Sequence, residues 1–263
     1  MGLMLGIGLI VGSFVNVMIH RLPRMIMADM ALPLAPERFD LCWPTSQCPH
    51  CHTPIKVQHN IPVLSFVWLK GRCCFCNQPI SALYPAVEVA TGLLWLICAW
   101  HWGMSPKSLC WSVFATLLLT LSIIDWQTTL LPDDLTQTLV WSGLMASASG
   151  WLPLEVHHAI WGSVAGYASL WVVATAFEAI TGKQGMGAGD FKLLAGLGAW
   201  VGPLALIPLV MLASFSGACV GLFLKFTGRL RDDSYVPFGP FLALAGGLIA
   251  FIGLDPIMVW MGW

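Results

Sequence analysis

Eight stretches of this chain are long, apolar and almost without charge, near residues 2–19, 83–103, 108–124, 135–152, 157–180, 191–202, 204–224 and 237–261. They leave little choice of fold. In lipid every backbone N–H and C=O must find a partner within the structure, which permits helices or a closed barrel. Here the apolar residues run continuously rather than alternating, so the pattern predicts helices. Charged residues make up 10% of the chain, against roughly 25% in an ordinary soluble domain. So few charges cannot cover a soluble sphere of this size, and they also exclude a disordered chain or a coiled coil. The expected class is an all-α polytopic membrane protein with about eight transmembrane helices. The run 191–202 falls short of the roughly 20 residues a span needs, and Gly202-Pro203 separates it weakly from its neighbour, so seven is the fallback count.

Orientation follows from the basic residues. With the polar segment 21–82 in the cytoplasm and the spans alternating from there, Arg21, Arg24, Arg38, Lys56, Lys70, Arg72, Lys183, Lys192, Lys225, Arg229 and Arg231 all fall on the cytoplasmic side. Lys107 is the one exception among the 12 basic residues. Cytoplasmic loops of membrane proteins carry such an excess, which supports both the orientation and an even count. A secretory signal carries its positive charge before the apolar core. Here Arg21 and Arg24 come after it, the pattern of an uncleaved span with its N-terminus outside. The expected division is residues 1–20 as the first span, 21–82 as a cytoplasmic segment and 83–263 as a membrane domain.

The polar segment holds six of the nine cysteines. Cys48-Pro49-His50-Cys51 and Cys73-Cys74-Phe75-Cys76 are two C-x2-C pairs, and each can form a tight knuckle whose thiolates converge on one ion. Four thiolates suit tetrahedral zinc, and the spacing is close to the zinc-ribbon range. Two disulfides or unrelated thiols are the alternatives, and stable disulfides are rare in a reducing compartment. Cys48, Cys51, Cys73 and Cys76 are therefore the predicted ligands of a structural zinc, because a closed four-sulfur shell leaves no open position for catalysis. His50, His52 and His59 are not needed as ligands. Cys42 and Cys74 are left over, and Cys98, Cys110 and Cys219 read as small core residues of the spans.

Two acids stand at the cytoplasmic ends of apolar helices: Asp125, closing the third span, and Asp190, opening the sixth after Gly185, Gly187 and Gly189. An ionisable group at that depth is expensive and marks a functional site by default. The blander readings are a carboxylate reaching interfacial water, or Asp190 as a helix cap. The glycine run would let backbone approach closely, either a neighbouring helix or an extended peptide, which makes Gly187 and Gly189 candidate substrate contacts. Asp133 and Asp134, after Leu131-Pro132, read as turn and cap residues of the fourth span. Brought together, Asp125 and Asp190 would suit aspartyl protease chemistry. One acid would be protonated and donate to the scissile carbonyl, and the other ionised to take a proton from water.

In order along nearly the whole chain, further motifs add to these. They are Gly12-Ser13-Phe14-Val15-Asn16-Val17 with His20-Arg21-Leu22-Pro23, Asn60-Ile61-Pro62, Lys70-Gly71-Arg72-Cys73, Tyr84-Pro85-Ala86-Val87-Glu88, Asp125 with Leu131-Pro132-Asp133, Gly187-Ala188-Gly189-Asp190, and Pro237-Phe238-Gly239-Pro240. Together with the two cysteine pairs they resemble the type IV prepilin peptidases, bifunctional leader peptidases and N-methyltransferases of bacterial inner membranes. The resemblance implies that Asp125 and Asp190 are the catalytic pair. It implies cleavage of a short basic leader from prepilins or type II secretion pseudopilins at the cytoplasmic membrane face. It also implies methylation of the new N-terminus with S-adenosylmethionine as donor, and no nucleic acid as partner.

The methyl-donor site is less legible. No G-x-G-x-x-G follows a predicted strand, so a Rossmann-type site is not supported. A pocket between the zinc segment and the first spans is the remaining place for it, with Asn16 and Glu88 as candidate members and interhelical hydrogen bonding as their simpler role. Three other functions compete with this one. A peptidase without methyltransferase activity stays open. A proton-coupled transporter needs polar residues deep within spans and helices broken at the midplane, whereas Asp125 and Asp190 stand at span ends. A thiol oxidoreductase needs reactive cysteines at an oxidising face.

Overall fold

The computed structural model describes residues 1–30, 39–183, 185–228 and 236–260. Arg38, Arg229 and Arg231, which entered the orientation reading, lie outside the described residues. The described chain is all-helical apart from turns and two isolated β-bridges. Its α-helices are α1 (Gly2–Met30), α2 (Leu64–Trp68), α3 (Leu83–Trp102), α4 (Pro106–Thr128), α5 (Asp133–Ala148), α6 (Val156–Thr181), α7 (Ala188–Val201), α8 (Leu206–Phe226), α9 (Gly239–Ile252) and α10 (Leu254–Trp260). The contacts divide the chain into two compact units, Met1–Thr116 and Leu117–Trp263.

Among the described residues, five helical stretches are long and apolar enough to cross a membrane: Gly2–Ala28, Leu83–Trp102, Pro106–Thr128, Val156–Thr181 and Pro203–Phe226. The other three apolar runs are shorter helices: α5 has 16 residues, α7 has 14 and α9 has 14. At 1.5 Å per residue, α7 is about 21 Å long, less than the roughly 30 Å of a bilayer core. Conversely, α1 has 29 residues and reaches about 43 Å. Helix propagation does not stop where hydropathy does, so the first helix continues past Ile19 and carries His20, Arg21 and Arg24 on its last turns. The weak separator at Gly202-Pro203 is a true break. Gly202 takes φ +79°, open to glycine and costly for other residues, and Pro203 then starts a 3-10 turn that leads into α8. The run 237–261 is similarly divided, at Gly253 between α9 and α10.

In the first unit α1 lies along α3. Small residues set the approach: Gly8 faces Gly92 and Trp95, and Gly12 faces the backbone of Glu88. Ser13 then hydrogen bonds the Glu88 side chain, and Asn16 Nδ2 donates to the Tyr84 carbonyl at 3.0 Å. Thus two motifs that stand more than sixty residues apart in sequence form one helix–helix contact. Trp95 Nε1 ties α3 to α4 through Thr116 Oγ1 at 2.9 Å.

In the second unit α7 is the central helix. Ten of its 14 residues are buried, and α5, α6 and α9 pack around it. Without lipid-driven attraction between helices, close association needs small residues, and α7 meets α6 through them. Gly162 and Gly198 face each other so closely that a Cβ on either would collide with the other's carbonyl, while Gly166 faces the backbone of Leu194 and Ala195. On the opposite side Gly143 accommodates Trp200, whose Nε1 donates to the Leu139 carbonyl at 2.9 Å.

This crossing is testable by substitution. Gly198→Ala forces backbone against backbone, with no flexible side chain to give way, and is expected to cost about 2 kcal/mol, as overpacking typically does. Gly6→Ala in α1 meets nothing within 4 Å and should be neutral or slightly stabilising, since Ala is the better helix former. Unfolding of the purified protein in detergent compares the two. Equal stability of both variants would dismiss the α6–α7 contact as the packing centre of this unit.

Candidate active site and metal centre

Asp125 stands in the last turn of α4, which ends at Thr128. Asp190 is the third residue of α7, whose N-cap is Gly187. Both side chains are buried, each 4% exposed, and they lie close enough for the charge of one to act on the other. The structure therefore brings together the two acids singled out in the sequence. Asp190 is not the cap of its helix. Asp125 Oδ2 accepts a hydrogen bond from the backbone N–H of Gly239 at 3.0 Å, so the N-terminus of α9 is turned on this carboxylate.

Leu131 organises the same end of the unit. It packs against Gly189, where an added Cβ would come within 2.8 Å of the leucine Cβ, and against Gly239. A Cβ on Gly239 would stand 2.6 Å from Asp125 Oδ2. The glycines of the Gly187-Ala188-Gly189-Asp190 and Pro237-Phe238-Gly239-Pro240 segments thus leave room for a leucine and a carboxylate. Gly187 has nothing within 4 Å of where a Cβ would be, and an ordinary φ of −77°. Gly239 as the backbone donor to Asp125 escaped the sequence reading. Its Pro-Phe-Gly-Pro setting marks a helix start but not which group it faces.

Asp133 and Asp134 do not cap α5. Pro132 is the N-cap, and both acids lie in the first helical turn with no side-chain cap bond. Proline at the cap fixes the backbone that an Asp cap would otherwise hold. Asp133 instead pairs with Lys192, whose Nζ donates to both carboxylate oxygens at 2.7 Å. Lys192 is two residues beyond Asp190, so the pair ties the start of α5 to the start of α7. With Asp133 mostly exposed, such a pair contributes at most about 1 kcal/mol.

In the first unit, the sulfurs of Cys48, Cys51, Cys73 and Cys76 lie within 4.8 Å of one another. The two knuckles repeat the same construction. His52 and Asn77, one residue past each second cysteine, both take positive φ, and their N–H groups donate to the Cys48 and Cys73 carbonyls. The β-bridges Gln47–Pro54 and Arg72–Pro79 close the two loops. Cys48 and Cys76 sulfurs are 3.8 Å apart. A tetrahedral zinc with Zn–S near 2.3 Å sets its sulfurs about 3.8 Å apart, so the donor set fits that ion. Without a cation the four thiols cannot all ionise. Hydrogen bonds from the hydroxyl and backbone of Thr53 pull the Cys51 thiol down to about 6. At Cys76 the Gln78 N–H favours the thiolate, yet burial and the three surrounding thiols push it up to about 12. Cys42 and Cys74 are exposed and outside the cluster, with Cys74 Sγ 3.3 Å from His59 Nδ1. Of the remaining cysteines Cys98 is buried and Cys110 half-buried, as expected, whereas Cys219 is exposed on α8.

The same unit contains a cavity of about 590 Å³ between α1, the start of α3 and the cysteine segment. Asn16 and Glu88 both line it. Asn16 spends its amide on the Tyr84 carbonyl, and Glu88 Oε2 accepts the Val63 N–H at 2.8 Å.

Residues 7–102 match the model of the bacterial peptidase A24 N-terminal domain, and residues 112–222 match that of the type IV leader peptidase family. A prepilin leader peptidase/N-methyltransferase of Pseudomonas putida is 45% identical over 260 residues, covering 94% of this chain and 88% of that protein. One of Burkholderia pseudomallei is 42% identical, covering 94% of this chain and 84% of that protein. One of Aeromonas salmonicida is 44% identical, covering 96% and 90%. No solved structure matches.

The four-cysteine cluster makes a direct prediction. Purified under reducing conditions, the protein should hold one zinc per chain by elemental analysis, and Cys48→Ser should lower that content and loosen the 46–80 segment to protease. Cys42→Ser and Cys74→Ser should leave the metal in place. Absence of both zinc and iron from freshly prepared wild-type protein would overturn the assignment.

Proposed function

This chain belongs to the type IV leader peptidase family, and from that premise we propose that it removes the basic leader from prepilins or type II secretion pseudopilins and then N-methylates the new terminus. The observation that carries the first activity is the pair of buried carboxylates, Asp125 and Asp190, at neighbouring helix ends. One carboxyl holds a proton and donates to the scissile carbonyl. The other is ionised and takes a proton from the attacking water, since two like charges in a dry site cannot both ionise cheaply. The Gly239 N–H holds Asp125 in place. Gly187, with open space beside it, is where an extended peptide backbone can approach.

The eight-crossing reading belongs to this proposal. The five long helices cross in the ordinary way, and α5, α7 and the α9–α10 pair cross as shorter helices. The first polar segment and the two aspartates then face the cytoplasm of a bacterial inner membrane. A prepilin presents its basic leader there, just before its own apolar helix. A proton-coupled transporter is disfavoured, because Asp125 and Asp190 stand within a turn of their helix ends.

For the second activity the donor is S-adenosylmethionine. When bound it would supply an electrophilic methyl carbon to the amine, leaving a thioether, with the amine's proton released to water. The four-cysteine centre takes no part in bond making and orders the segment around it. Asn16 and Glu88 remain the candidate donor-site residues. A chain that cleaves without methylating is the alternative, and it would release a product lighter by one CH2.

Two outcomes are expected. In a membrane assay on a prepilin, Asp125→Asn and Asp190→Asn should lower cleavage at least about a hundredfold, the scale of general acid–base catalysis, while both variants still insert. Gly239→Ala, which displaces the Asp125 carboxylate, should lower it about 10- to 100-fold. Wild-type processing by Asp190→Asn would sink the aspartyl mechanism. In the second assay the mass of the processed product is read for both reactions at once. A Cys73→Ser, Cys76→Ser double variant should damage methylation more than cleavage, and intact methylation beside lost cleavage would reverse that division of labour.

A further inference from the structure

The cavity in the Met1–Thr116 unit has a size and a charge pattern that select a ligand. Its 590 Å³ falls within the roughly 300–1,000 Å³ of small-molecule sites. Glu88 forms part of its wall and is itself 9% exposed. Its donors are neutral: the Val63 N–H at 2.8 Å and the Ser13 hydroxyl. Among the described residues no Lys, Arg or His forms an ion pair with it. A buried carboxylate without a counter-cation is costly, and here it borders open space.

Val63 sharpens the point. This β-branched residue is held at φ 59°, ψ −48°, a region such residues avoid. Strain of that kind persists only where surrounding structure enforces it, and it gathers at ligand sites. Its effect here is to aim an N–H at Glu88.

The opposite charge lines the same cavity farther along α1. Arg24 carries it, eleven residues beyond Ser13 and about 16 Å along a helix, while His20, seven residues beyond Ser13, adds an imidazole for hydrogen bonding. Arg21, between them, is spent on the Asp40 and Pro44 carbonyls at 2.8 and 2.6 Å and pins the cysteine segment to α1. The cavity thus has an anionic group and a cationic group well separated along α1, and Tyr84 and Phe66, which also line it, suit a flat apolar group. That is the pattern for a zwitterionic ligand bearing an aromatic base.

We propose that this cavity is the S-adenosylmethionine site, with the Glu88 carboxylate facing the sulfonium and His20 and Arg24 facing the amino-acid carboxylate. The proposal rests on the methyltransferase reading above and deepens it. It assigns Glu88 a role in charge recognition: the site prefers the cationic sulfonium over the neutral thioether left after methyl transfer, which helps the product leave.

Equilibrium dialysis of the full-length protein in detergent tests this with radiolabelled S-adenosylmethionine and S-adenosylhomocysteine. Wild type should bind the sulfonium compound more tightly. Glu88→Gln keeps an acceptor for the Val63 N–H and removes the charge. It should weaken sulfonium binding about tenfold or more, as loss of a buried charge partner does, and leave thioether binding nearly unchanged. Zinc content monitors folding of the variant. Should it fail to fold, ultraviolet cross-linking of the labelled donor to wild type replaces it, with label expected in residues 13–24 or 79–88. Wild-type binding with an unchanged preference in Glu88→Gln, or label confined to residues 117–260, would overturn the site while leaving the methyltransferase reading intact. A wild type that neither binds the donor nor methylates would overturn that reading itself.

Discussion

Burial of Asp125 and Asp190 is the constraint around which the Leu117–Trp263 unit is organised. A carboxylate 4% exposed must find donors inside the protein, because leaving it unpaired in an apolar interior is prohibitive. Helix N-termini are the cheapest source, since their first N–H groups have no partner within the helix. The N-terminus of α9 supplies one such N–H to Asp125 through Gly239, and the first turn of α7 carries Asp190 itself. To bring those helix starts beside the end of α4, α7 must run through the middle of the unit. That central place in turn requires the glycine contacts with α6 and the small residues facing Leu131 and Trp200.

The Met1–Thr116 unit solves a different problem. Its polar segment has little secondary structure, so four thiols, two β-bridges and the Arg21 contacts to Asp40 and Pro44 define its shape. Four clustered thiols without a cation divide into those easily and those hardly ionised, as Cys51 and Cys76 do. A divalent ion bound there would remove that conflict and tie the two knuckles together. The segment then closes one side of the cavity bounded by α1 and α3. A metal with no open coordination position can therefore matter to chemistry it does not perform.

Several residues changed meaning between sequence and structure for physical reasons. Asp133 and Asp134 looked like caps because Asp before an apolar run usually is one, but Pro132 occupies that position and Asp133 turns to Lys192. Charge after Ile19 predicts the end of the first span there. A helix can carry charge once it leaves lipid, and α1 continues to Met30. By sequence Asn16 suits either a donor pocket or an interhelical bond. It makes that bond, to Tyr84, on the wall of the cavity. Gly239 was noticed only as part of a motif, since nothing in a local pattern states that its N–H faces a carboxylate 114 residues away.

By itself the sequence determined what lipid and coordination chemistry dictate locally. Continuous apolar runs must be helices because no water satisfies their backbone, two C-x2-C pairs form knuckles because their spacing closes a loop, and isolated acids at helix ends mark a candidate site because burial is expensive. Tertiary structure alone decided which helix ends meet. The Asp125–Asp190 approach, the Gly239 bond, the Gly162–Gly198 crossing and the setting of Glu88 beneath a strained Val63 all join residues far apart along the chain. Such contacts depend on how whole helices pack. That packing is settled by the sum of many small side-chain fits, which no local pattern records.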